Sequence, residues 1–104
     1  VESMQVSNAL KHVDIQAEYV QDVEIKELNH PVIAHDYFLA IHNQSEHTLQ
    51  LHASDLILVD RQYQEYAAVI DPQFLKPIPA QQKQWIKVSF HYPTSVQADE
   101  IKIK

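Results

Sequence analysis

The run QWIKVSFHY, residues 84–92, alternates without a break. Ile86, Val88, Phe90 and Tyr92 hold one parity; Trp85, Lys87, Ser89 and His91 hold the other. Side chains on a strand point to opposite faces with period two, so this run predicts a half-buried β-strand. Its outward face carries the chain's single tryptophan among a lysine, a serine and a histidine. The neighbouring runs obey the same rule. From 13 to 25, Val13, Ile15, Ala17, Tyr19, Val23 and Ile25 fall on odd positions and Asp14, Gln16, Glu18, Asp22 and Glu24 on even ones. Strands usually run to about 5–6 residues, so a strand of this length is expected to bend or bulge, near Val20–Gln21.

A second strand is expected over 32–42, with Tyr37, Leu39 and Ile41 inward and Phe38, Ala40 and His42 outward. TLQLH (48–52) reads as a short strand with Leu49 and Leu51 on one face. DLILVD (55–60) reads as a strand covered on both sides, and a turn at DRQYQ leads to EYAAVI (65–70). IKIK (101–104) reads as an edge strand, with Ile101 and Ile103 in and Lys102 and Lys104 out, because outward lysines protect an edge. DPQFLKPIPA (71–80) carries three prolines and reads as a connection. NHP (29–31) and PTSVQADE (93–100) read as a turn and a loop. The chain has no glycine. That excludes glycine-rich phosphate loops and dinucleotide fingerprints. Tight turns must then use Asn or Asp, with Asn29, Asn43, Asp60 and Asp71 as candidates, or give way to longer loops.

Short strands with turn signals every few residues, and little helical period, predict an all-β chain. The expected architecture is an antiparallel immunoglobulin-like β-sandwich of about seven strands. Residues 1–10 are set apart as an N-terminal lead-in, helix or coil, and 11–104 as one sandwich domain. A chain of 104 residues supports one core and no more. Its 45% hydrophobic and 21% charged content is that of a folded domain. With no cysteine, disulfides, thiolate metal sites and cysteine nucleophiles are excluded. The net charge is −6 and the eight Lys and Arg are scattered, so nucleic acid is not an expected partner. No apolar run reaches the roughly 20 residues of a membrane span, and no basic-then-apolar start reads as a signal peptide. Any membrane attachment is expected to come from an anchor outside this chain.

Four pieces carry a resemblance: IHNQS (41–45), LILVD (56–60) with Tyr66 after the turn, PA (79–80), and FHYP (90–93). In this order they resemble the immunoglobulin-like domains of unknown function found in exported lipoproteins and cell-envelope proteins of Gram-positive bacteria. PAQQKQW (79–85) is similar to S-layer-associated domains of the same bacteria. Ala80 stands where such domains carry glycine, and the glycine of the turn after Asp60 is missing. The resemblance implies an extracytoplasmic location, in the cell envelope or secreted. The chain is expected to be a non-enzymatic binding or accessory module whose partner is a protein or a cell-wall polymer, with no cofactor.

Trp85, Lys87 and His91 are the candidate partner-binding residues, because they share the outward face of one strand. An exposed Trp85 beside Tyr63 or Tyr92 would mark a partner or glycan surface. The plainer reading, favoured on sequence, buries the indole at the start of the strand as a cap on the core. Five histidines, 30, 35, 42, 47 and 52, recur every five residues. Residues five apart point to opposite faces of a strand, so the rhythm does not converge on a metal. One pair survives: His42 and His52 would be diagonal neighbours if 37–42 and 48–53 pair across the loop. They are the candidate ligands of an alternative, metal-binding envelope protein. The plain reading is solvent-facing histidines. Protonating all seven histidines would take the charge from −6 to about +1. NQS (43–45) matches a glycosylation sequon, but a polar strand-to-loop transition explains it as well. Ser45 and Ser89 each lie near histidines in sequence, which does not make a nucleophile and base.

Overall fold

The computed structural model describes residues 3–6, 8, 10–27, 30–92 and 98–103. Among the described residues seven strands form: β1 (Ser3–Gln5), β2 (Val13–Glu27), β3 (His30–Asn43), β4 (Leu56–Asp60), β5 (Glu65–Val69), β6 (Lys83–Tyr92) and β7 (Ala98–Ile103). Two 3-10 turns, Ala53–Asp55 and Pro72–Phe74, complete the regular structure, and no α-helix occurs among the described residues. Every strand pair is antiparallel, and the order across the sheet is β1-β2-β3-β6-β5-β4-β7. β4, β5 and β6 are consecutive neighbours, with β3 beside β6 and β7 beside β4. Two Greek keys therefore share one meander.

The clean alternations became strands. Ile86, Val88 and Phe90 are fully buried on β6, Leu39 and Ile41 on β3, and Ile15 and Ala17 on β2. They join Leu56 and Leu58 of β4 and Ile101 of β7 in one apolar cluster, so the sheet curls until its two flanks share a core. All five residues of β4 are buried, as a strand covered on both sides requires. β5 and β6 meet through Ala68↔Phe90 and Val69↔Ser89 alone, so the curl turns sharply there.

The register of β2 on β3 shifts between Tyr19 and Gln21, at the expected bulge. The shift does more than bend the strand. Tyr19 pairs with Tyr37 on the inner face, but Gln21 pairs with Asp36 on the outer one. Val23 and Ile25 thereby move to the outward face, against the odd-position reading, and Val23 is exposed.

Four other expectations are corrected. Residues 48–52 are not a strand; they make a single bridge, Leu49↔Ile78. Both edges of β3 are taken, by β2 and β6, so no edge remains for that segment. The lead-in contributes β1, paired with β2. β7 begins at Ala98, inside the stretch read as loop. Among the described residues the left-handed backbone positions are His12, Tyr63 and Gln81, none of them Asn or Asp. Asn43, Asp60 and Asp71 turn the chain through side-chain hydrogen bonds instead. Residues 28–29 of the expected turn, Asn29 as a turn residue, residues 93–97 and Lys104 lie outside the described residues, as do the side chains of Tyr92 and Ile103.

Candidate outward face of strands 2, 3 and 6

The outward residues of β2, β3 and β6 fall into rows set by register. From one end these are Asp14–His42–Lys83, Gln16–Ala40–Trp85, Glu18–Phe38–Lys87, Gln21–Asp36–Ser89 and Val23–Ala34–His91. Trp85 is 58% exposed and Phe38 39%. Their rings meet edge to face at 6.4 Å between centroids. The indole is not a cap on the core: its parity puts it on the outer face, and the core beneath is filled by Ile86 and Leu39. Beside it, between Asp14, His42, Lys83 and Trp85, lies a shallow depression of about 240 Å³.

Trp85 and Lys87 are successive outward residues, about 7 Å apart along the strand. His91 shares the face but stands roughly 20 Å from Trp85 at ~3.3 Å per residue. The row between them is one that sequence reasoning missed. Ser89 Oγ donates to Asp36 Oδ1, and Gln21 Nε2 donates to Asp36 Oδ2 over 3.1 Å. Asp36 is thereby buried on the outward face, next to the equally buried Ala34. The one signal was an aspartate inside the apolar run VIAHDYFLAI. Ser89 is held by this carboxylate and not by His91.

A second polar group sits on the inner face past the bulge. Asp22 pairs with His35 through Nδ1, which places the imidazole proton on that nitrogen. Tyr19 is pushed up to about 12, by burial first and then by its hydrogen bond to Asp22. His35 is held below its ordinary value, because burial outweighs the pull of Asp22 and Asp36. Tyr19 and Tyr37 pack at 5.6 Å, and Tyr37 and Phe90 at 6.0 Å, so an aromatic ladder separates this group from the apolar core.

The expected His42–His52 pairing is not made. His42 lies in the outward row with Asp14 and Lys83, where its Nδ1 faces Gln44 Nε2 at 3.2 Å. His52 instead precedes the 3-10 turn 53–55, where its N–H donates to Asp55 Oδ2 over 3.1 Å. Among the described residues no group of three or more His, Cys, Asp or Glu is placed to hold a metal ion.

Two further residues organise loops. Asn43 is fully buried; its Nδ2 donates to His47 O at 2.8 Å and to Ile78 O at 3.0 Å, and its Oδ1 accepts from Ser45 Oγ at 2.6 Å. The sequon asparagine is therefore a structural residue. Asp60 accepts from Gln62 N, Gln64 N and Tyr66 Oη and closes the turn between β4 and β5. Burial alone would raise its pKa, and these three bonds overcome it and hold the carboxyl below its ordinary value. The chain matches no protein-family model, no curated protein and no solved structure.

Proposed function

We propose that this chain is a non-enzymatic binding or accessory module of a bacterial cell-envelope protein, working outside the cytoplasm. Its partner, a wall polymer or a protein, docks on the outward face of β2, β3 and β6. Trp85 carries the reading. Burying a large apolar side chain stabilises a fold by about 1.5–3 kcal/mol. This chain leaves its one indole 58% exposed, braced by Phe38 beside a depression and flanked on its own strand by Lys83 and Lys87. Exposed aromatic anchors with polar surrounds are what binding surfaces are built from. The envelope setting and the tie to exported lipoproteins rest on the resemblance of IHNQS, LILVD and FHYP to such domains.

The same proposal takes the architecture as a sandwich, immunoglobulin-like in the broad sense. The thin β5–β6 junction supports it, dividing the sheet into β1-β2-β3-β6 and β5-β4-β7 around a shared core. The strand order keeps three neighbour pairs of an immunoglobulin constant domain (first with second, third with sixth, fourth with fifth) and departs by pairing β2 with β3, β5 with β6 and β4 with β7 in place of second with fifth and sixth with seventh.

Sedimentation with isolated Gram-positive cell envelopes tests the function. The chain should pellet with them, Trp85→Ala should remain in solution, and Tyr63→Ala, an exposed tyrosine on the β4–β5 turn, should pellet like the parent. A parent chain that stays in solution, or a Trp85→Ala variant that pellets equally, contradicts the reading.

A further inference from the structure

We propose that the ligand of this face is an uncharged, extended sugar chain, lying along a track from Trp85 to the loops around Gln81. The inference rests on the binding-module reading and narrows it.

A second hollow, of about 490 Å³, opens past the strand ends between His12, Gln44, Glu46, His47 and Gln81. The two hollows are adjacent: His42, which lines the first, faces Gln44, which lines the second, at 3.2 Å between Nδ1 and Nε2. Trp85 stands about 7 Å from Lys83, where β6 begins, and the second hollow lies beyond that end. Together they form a track longer than one sugar ring.

Its far end is held in shape. Gln81 Nε2 donates to Gln44 O at 3.1 Å and to Ser45 O at 3.0 Å, and Gln44 N donates to His12 O at 2.8 Å. Three loops are tied together this way, so a ligand there meets a preformed surface, which lowers the entropy cost of binding.

The chemistry of the lining selects the occupant. One aromatic platform, Trp85 with Phe38, stands at one end. Beyond it come amides, carboxylates and imidazoles: Gln16, Asp14, His42, Gln84, Gln44, Gln81. A sugar ring offers a C–H face that packs on an indole and a rim of hydroxyls that both donate and accept hydrogen bonds. A folded protein partner would want a wider apolar centre. Charge narrows the choice further. Lys11, Lys83 and Lys87 are matched by Asp14, Glu18 and Glu46 on or beside the track, while the whole chain carries −6. An anionic polymer is repelled by the rest of the molecule, and a cationic peptide has no reason to choose the one balanced strip.

Trp85 is the only tryptophan, so its fluorescence reports this site in the parent chain, and titration calorimetry reads Trp85→Ala, which lacks the fluorophore. The test titrates the chain with neutral N-acetylglucosamine oligomers of increasing length, and with uronic-acid oligomers as the anionic arm. In parallel it sediments the chain with envelopes before and after periodate cleavage of their sugars. The expected results are affinity that rises with oligomer length, loss of about tenfold or more in Trp85→Ala, and pelleting abolished by periodate. Gln81→Ala should weaken long oligomers and leave the shortest unchanged. Variants are checked by circular dichroism; both sites are exposed, so the fold is expected to hold. Tighter binding of the uronic-acid oligomers at neutral pH overturns the uncharged ligand. Trp85-dependent pelleting that survives periodate, with no response to any oligomer, overturns the sugar chain and leaves the docking face standing. A chain that never pellets overturns both.

Discussion

Asn43 is the residue on which one end of the molecule depends. Its amide donates to carbonyls of residues 47 and 78 in a site closed to water. Alanine there removes these bonds and the two that Oδ1 accepts from Ser45, each a net loss of about 0.5–1.5 kcal/mol, while Ile78 O keeps Leu49 N and His47 O keeps Ser45 Oγ. Asn43→Ala should therefore lose roughly 3 kcal/mol of stability by urea denaturation, and Asn43→Asp should be no better, because a carboxylate cannot donate. That the chain turns at NQS was legible from local polarity. That the turn is pinned to Ile78 was not, since the partner lies 35 residues away. His35 makes a second case. Burial holds its pKa below 6.5 in the folded state. The unfolded chain therefore takes up this proton first as pH falls, and stability drops from about 6.5 downward until the folded-state group titrates too. His35→Gln removes that contribution, so its loss of thermal stability between about pH 7 and 5 should be shallower than the parent's. The even histidine spacing hid this, because burial and not rhythm distinguishes His35 from His42.

Among the elements, the β2–β3 hairpin is the one whose two halves differ. Near the core, β2 residues 16–18 are flanked by β1 and β3, and β3 residues 33–42 by β2 and β6. Past the bulge, β2 has a neighbour among the described residues on the β3 side only. Backbone groups there have few packed side chains above them, and local opening is correspondingly easy. Amide hydrogen exchange should show strong protection at 15–17 and 37–41 and weak protection at 23–26; equal protection in both halves would contradict this account of the arm. Strand length announced the bulge, but the transfer of Val23 and Ile25 to the outer face was not legible. An apolar residue keeps its parity in the sequence whether or not an extra residue has slipped the register. The segment 48–52 failed for another reason. Leu49 and Leu51 do point inward, yet a strand needs an open neighbour, and β3 has none.

At the scale of the whole molecule, alternation was enough to give an all-β chain with antiparallel strands, while the order of those strands came from long-range pairing that no local pattern encodes. The outward face was half legible. Trp85 and Lys87 were placed by parity, but whether the indole lay in or out turned on which residues filled the core below it. Charge gives a prediction for the intact chain. Histidine protonation as pH falls toward about 5 carries the net charge from −6 to near zero, with buried His35 held back. Electrophoretic mobility should fall to near zero there, and a mobility flat between about pH 7 and 5 would contradict it. The central claim is that ligands meet the outer face of β2, β3 and β6, and amide chemical-shift mapping with solubilised envelope fragments tests it most directly. Perturbations should cluster at residues 12–16, 40–46 and 81–87 and vanish in Trp85→Ala. Perturbations confined to β4, β5 and β7, or none at all, would contradict it.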